Sequence, residues 1–511
     1  MNVSERLGRL RSRGQTYGFV LGVVCSLLVA TLAVPLIAGD PARRSPDADE
    51  SVLRFEPAPD TPGTGTVLDA SGAPVPAQAA AGSTDSPQTA NAPGAVRTGA
   101  APGAVAAVPP GVKLAASDQG VTATRIKIGA VVTDLGGTSA LGFNPEGYDP
   151  DTQKRYFQAH IDDLNKKGGL LGRQVDLVFA TVDILSQDSM RTACQQLADG
   201  QKVFAVLHVL GVYGDPILCF TEQKKLPYIA FDGAVADYYK RSNGYLITTQ
   251  ASTLRTSLDM AKRLHDAGEL RGKKVGILRY AEYLDGDMTS LINYTRGLGS
   301  TVIDAEISVS NTGAVPGQLA IAVNRFQTEN VGIVFLMTNT LYGQQFVSQA
   351  ERQSYFPAYA VSDFDYASAG DSFVSGMPDA FFRRALIVTS TRIGDTAATA
   401  TVDKECNAVA VASVGKPLAP PDGEFYGYLG ACGLLRTFLE GMSRGGPNPT
   451  RAGFVKAMQT VGAFPNPGFA GSSLGPNKLG AASEIRIAQA LLSCKCWKPA
   501  TGYSPTAFAG S

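Results

Sequence analysis

From Arg125 onward the chain alternates short apolar β runs with amphipathic helical stretches, through two consecutive cycles. This alternation constrains the fold more than any other feature. Parallel strands cannot be joined by tight turns, so each needs a crossover, and helices placed there cover both faces of the sheet. In the first cycle strands are expected over 125–132, 174–180, 202–208 and 227–231, with helices over 152–165, 187–198 and 216–223 between them. Within 152–165, Tyr156, Phe157, Ile161 and Leu164 recur at helical spacing, and the basic Lys166-Lys167 followed by Gly168-Gly169 marks the stop. After Thr253 the pattern restarts. Helix 254–264 leads into strand 274–278, 287–298 into 301–307, 316–327 into 331–336, and 343–351 into 358–362. Two such cycles predict two doubly wound parallel-sheet lobes rather than one large sheet. Ligands of such sheets sit at the carboxyl ends of the strands, so facing lobes create a cleft.

Two unlike segments precede this module. In residues 1–40, Arg6, Arg9, Arg11 and Arg13 lead into the uncharged apolar run 17–38, about the ~20 residues that cross a bilayer. It reads as an N-terminal transmembrane helix with its basic flank in the cytoplasm. No small-x-small site stands near Leu36-Ile37-Ala38, so an uncleaved anchor is expected, with a cleaved signal sequence as the alternative. Cys25 lies inside the run rather than after it, which argues against a lipid-modified cysteine. Residues 41–120 are rich in Pro, Ala, Gly and Thr, nearly lack aromatics and show no period. They read as a disordered linker that spaces the module from the membrane, on its extracytoplasmic side.

Lys+Arg and Asp+Glu balance at 45 each, so no overall field points to nucleic acid. Three scattered His and no CxxC leave a metal site unsupported, and no cofactor is implied. No nucleophile elbow, phosphate loop or metalloprotease motif appears, so the chain is not expected to be an enzyme. Six Cys follow the apolar run, an even set compatible with disulfides in an exported chain.

Several segments, in their order and spacing, carry a resemblance: Ile126-Lys127-Ile128-Gly129, then 165–174 leading into a strand and Asp183, Lys273-Lys274-Val275-Gly276-Ile277-Leu278, the strand over 331–336, and Tyr426-Gly427-Tyr428 opening a long late helix. Over about 125–498 the chain resembles type I periplasmic solute-binding proteins of the leucine/isoleucine/valine-binding branch, which serve ABC transporters. The resemblance implies three hinge crossovers, near 248–253, 389–395 and 475–482. Lobe I would then comprise 121–249 and 391–476, and lobe II 251–390 and 483–499. It implies capture of a small-molecule solute, amino-acid-like or another small polar or amine compound, in the interlobe cleft and its delivery to an ABC permease. A membrane-anchored receptor or protein-interaction module on the same fold is the alternative.

Carried over by position, the implied ligand contacts are Phe143, Val212, Tyr213, Asp232 and Gly233 from lobe I, and Tyr283, Asn339 and Asp363 from lobe II. Val212 and Val235 stand where amino-acid binders present hydroxyls, which counts against a standard α-amino acid. Asp363 falls where those binders pair an acid with the ligand's ammonium, or else caps a helix. The insertion 144–151 forms a lid or a partner surface, or else a plain surface loop. Helices after the second and third strands lie side by side in such a lobe, so Cys194 is expected to pair with Cys219, and Cys406 with Cys432 likewise. Cys494 and Cys496 have no assignable partners.

Overall fold

A computed structural model describes residues 108–510 except 211–213 and 283. The expected membrane segment and most of the expected linker lie outside these residues. Among those described, no helix is long and apolar enough to cross a membrane. The last stretch assigned to the linker is tied down. Ala115 N–H donates to Asn448 Oδ1 (2.9 Å), Ser117 to the Pro449 carbonyl (2.6 Å), and Asp118 pairs with Arg451 (3.0 Å). The folded module therefore begins before residue 120.

The first sheet is built from β1 (Arg125–Asp134), β2 (Gln174–Asp183), β3 (Val206–His208), β4 (Tyr228–Ala230) and β5 (Leu246–Thr248), all parallel, in the order β2-β1-β3-β4-β5. Ile126, Ile128 and Ala130 to Val132 of β1 are buried, as a strand covered on both faces requires. Helix α1 (Pro150–Lys166) follows β1. Asp149 caps it by accepting from Thr152 N–H, Pro150 opens it, and Tyr156, Phe157, Ile161 and Leu164 form its buried stripe. Gly169 (φ 76°) turns the chain into β2, and a Cβ there would stand 2.0 Å from the Arg173 carbonyl oxygen. Helices α2 (Gln187–Gln195) and α3 (Ala236–Ser242) follow β2 and β4. The helix expected over 216–223 is replaced at its end by a wide π turn over 219–223.

The second sheet repeats the plan. Helix α4 (Thr253–Asp266) leads to β6 (Lys274–Tyr280). Helix α5 (Asp285–Gly297) leads to β7 (Val302–Ile307), α6 (Val315–Thr328) to β8 (Val331–Met337), and α7 (Thr340–Arg352) to β9 (Ala358–Ser362). Helix α8 (Asp379–Arg384) then precedes β10 (Ala385–Thr389). Strands β7-β6-β8-β9-β10 are parallel and carry the same order as the first sheet. The sheet is not purely parallel, however. Strand β11 (Glu484–Leu491) runs antiparallel to β10, and β12 (Cys496–Pro499) antiparallel to β11. Between β10 and β11 in sequence, α9 (Thr401–Val414), α10 (Gly423–Arg444) and α11 (Arg451–Met458) belong with the first sheet; α10 packs on α1 so closely that a Cβ at Gly427 would meet the Tyr156 ring at 2.1 Å.

The chain thus passes between the sheets three times, and the passages bind one another. Thr248 N–H donates to the Leu479 carbonyl (2.9 Å), and Ala481 and Ala482 N–H donate back to Thr248 and Thr249 (2.8 and 3.0 Å). Thr391 bridges to Phe469. The buried Arg255 guanidinium donates to the Gly480 and Ala482 carbonyls, at 3.1 and 2.9 Å. Disulfides join Cys194 to Cys219 and Cys406 to Cys432, with Cα atoms 6.2 and 6.0 Å apart; Cys494 pairs with Cys496.

Candidate functional site

In each sheet the strand order reverses beside the first strand, between β1 and β3 and between β6 and β8. Those switch points open a crevice at the carboxyl ends of the strands. The two crevices face each other across one cleft of about 920 Å³, part of it open to solvent. Lobe I supplies Leu135 and Thr138 after β1, Ile184 and Leu185 after β2, and Leu210 after β3. Lobe II supplies Tyr280 at the end of β6, Val309 and Thr312 after β7, and the start of α7 after β8.

Phe143 lines this cleft. It is buried against Phe373 of lobe II, ring centroids 5.8 Å apart. Thr138 holds its loop by donating to the Leu135 and Phe143 carbonyls, both at 2.7 Å. The insertion behind it crosses the rim: Tyr148 packs edge-on to Phe373 at 4.7 Å and donates its hydroxyl to the Ala369 carbonyl (3.0 Å). Gln344 adds a bond to the Gly142 carbonyl (3.2 Å). Residues 144–151 therefore form an interlobe strap rather than a free surface loop.

Asn339 also lines the cleft, but its amide oxygen is committed. Its Oδ1 accepts from Tyr342 N–H (3.0 Å) as the cap of α7, and its own N–H donates to Tyr280 Oη (2.8 Å).

Three expected contacts lie elsewhere. Asp363 is 1 % exposed and does not line the cleft. Its carboxylate accepts from Thr389 Oγ1, from Ser390 N–H (2.8 Å) and from Ser390 Oγ, so it anchors the second crossover. Burial pushes its pKa up, against those donors. Asp232 is likewise buried and outside the cleft lining. Gly233 N–H donates to Gln250 Oε1 (3.2 Å), and a Cβ there would stand 1.9 Å from the Ala251 carbonyl oxygen, so this loop is packed onto the first crossover. Val212, Tyr213 and Tyr283 lie outside the described residues.

Sequence reasoning missed Tyr342, Tyr366 and Phe373, which complete the lobe II wall. Tyr342 falls one turn past a strand end, where a site residue is expected. Tyr366 and Phe373 sit in an aperiodic loop that gives no such signal.

The two buried histidines are held by the protein itself. His208 bridges Thr133 Oγ1 (3.1 Å) and Tyr228 Oη (2.5 Å), and burial drives its pKa down to about 3. His160 meets the Tyr428 carbonyl (3.0 Å), and burial lowers it to about 4. Both are neutral core groups. Among the described residues no cluster of three His, Cys, Asp or Glu is placed to hold a metal ion. A second cavity of about 460 Å³ lies beside the second crossover, but it lies at neither switch point, and its charges are paired, Arg392 with Asp403 in the lining and Asp395 with Arg486 outside it.

A family model for periplasmic binding proteins matches residues 125–491. The chain belongs to that family. Its sequence-level likeness to the leucine/isoleucine/valine-binding branch stands. Among solved structures, a fatty acid ABC transporter substrate-binding protein from Thermomonospora curvata superposes with a TM-score of 0.57 at 16% identity, covering 76% of this chain and 94% of that one. A leucine-binding protein from Thermotoga maritima gives 0.56 at 16%, covering 74% and 98%. A solute-binding protein of an ABC transporter from Rhodopseudomonas palustris, in complex with 3,4-dihydroxybenzoic acid, gives 0.54 at 16%, covering 75% and 98%. At that identity the likeness establishes the shared fold. No curated protein matches the sequence.

Proposed function

We propose that this binding protein captures a small solute between its lobes, outside the cytoplasm, and delivers it to an ABC-type permease. The N-terminal segment holds it at the membrane, and residues 41–107 give the module reach. The observation that carries this reading is the meeting of both switch points in one cleft. Residues from both lobes line it, so a solute seated there gains contacts only when the lobes close, and its binding stabilises that closed state. Phe143 and Tyr148, already packed on Phe373, are the aromatic seam along which the lobes would part. Solved structures of this fold are described with a fatty acid, leucine or a dihydroxybenzoic acid; across them the solute varies while the fold is kept.

The test is recovery of the natural solute. Full-length chain purified from its native membrane in gentle conditions is expected to release one organic compound on methanol extraction, detected by mass spectrometry, and to co-purify with a permease. Extracts indistinguishable from a blank, together with no permease, would contradict the reading.

A further inference from the structure

The sixteen described residues that line the cleft include no Lys, Arg, His, Asp or Glu. Eleven carry aliphatic or aromatic side chains, among them Leu210, Leu341, Tyr342 and Phe373. Three of the polar groups among them are turned to the protein itself. Thr138 spends its hydroxyl on two carbonyls, Asn339 Oδ1 caps α7, and Tyr280 Oη accepts the Asn339 N–H. The basic residue next to Tyr280 in sequence is Arg279, and it is held by Asp285, Asp304 and Glu306. Charges that flank the lining are acidic. Asp134 precedes Leu135 and Asp183 precedes Ile184, while Glu282 takes hydrogen bonds from Ser308 and Ser310 on either side of Val309.

We infer that the solute is an uncharged, predominantly apolar organic compound of aromatic or alicyclic type, held by ring and aliphatic contact rather than by ion pairing. The inference rests on reading the cleft as the solute site. Moving an ion out of water is costly unless a partner charge or several hydrogen bonds replace its hydration. A carboxylate in this cleft meets no cation among the described lining residues, and the free charges nearest the lining in sequence, Asp134, Asp183 and Glu282, are acidic. An ammonium group inside meets no carboxylate among the described lining residues. A zwitterionic amino acid suffers both losses. An uncharged ring compound loses nothing of this kind and gains the apolar wall.

Equilibrium dialysis of the full chain in lipid nanodiscs, with empty discs as the blank, tests this with one ring carried by four compounds: 2-naphthylmethanol, 2-naphthylmethylamine, 2-naphthoate and 3-(2-naphthyl)-L-alanine. The alcohol is expected to bind one per chain, at least about tenfold more tightly than the other three. Leu210→Asp, which places a carboxylate in the lining, is expected to cost the alcohol more than about tenfold. Because that variant risks the fold, Thr312→Lys at an exposed position of the mouth is the companion, and it is expected to raise naphthoate affinity several-fold. If naphthoate, the amine or the amino acid binds the unaltered chain as tightly as the alcohol, the solute class is wrong while capture in the cleft stands. If none of the four binds, the class is also overturned. Capture then falls with it only if the natively purified chain also releases no solute.

Discussion

A carboxylate taken out of water must be met by donors, and Asp363 is met by Thr389, Ser390 and Ser368. Removing it leaves those groups buried and unpaired. Asp363→Ala is therefore expected to lower the unfolding free energy by about 2–4 kcal/mol in urea titrations. A solute contact would instead lose binding at unchanged stability. The residue stood among the expected contacts because it occupies the position where the resembled binders place an acid against the ligand's ammonium. Local pattern does not reveal that Ser390, 27 residues later, folds back onto it. The same holds for Asp232 and Gly233, whose partner is the first crossover. Phe143 and Asn339, expected by position from the resembled family, do line the cleft, because the loops after β1 and β8 that carry them open at the switch points.

At the scale of elements, long strands and amphipathic helices were readable from their periods, since burial on both faces imposes an unbroken apolar run. The short strand β5 and the antiparallel β11 and β12 were not read from the sequence, and they are fixed by neighbours distant in sequence. The disulfides staple the weaker parts. Cys194–Cys219 joins α2 to the wide turn before β4 across 25 residues, and a loop of that size implies about 3 kcal/mol from a constrained unfolded chain. Cys194→Ser with Cys219→Ser is expected to lower stability by about that amount, read as a fall in urea midpoint. A second test concerns Asp287 of α5, whose carboxylate accepts the Ala236 N–H at the start of α3, across the lobes, at 3.4 Å. Burial pushes its pKa from 3.8 up to about 7. The folded chain therefore holds this proton more tightly than the unfolded chain, and ionising it costs stability. That cost is absent below pH 3.8, grows as pH rises, and is complete above about pH 7. Asp287→Asn keeps an acceptor oxygen and removes the charge. It is expected to stabilise the fold by about 1–2 kcal/mol at pH 8 and to change little at pH 4. Equal effects at both pH values would refute the assignment.

At the scale of the whole molecule, the two lobes share one topology, three passages of chain join them, and an aromatic seam meets along the rim of the cleft. The seam makes Phe143 a closure residue as well as a wall of the cleft. Phe143→Ala is expected to weaken solute binding by about tenfold, mostly through faster release, measured by dialysis and stopped-flow. The central claim is that the lobes close on the solute. It is tested most directly by the distance between spin labels on Gln158 of α1 and Ile321 of α6, both exposed and on opposite lobes, in a chain carrying Cys25→Ser. On adding the solute recovered from the natively purified chain, the distance distribution is expected to shift to one narrow population. Bound solute with an unchanged distribution would contradict the account.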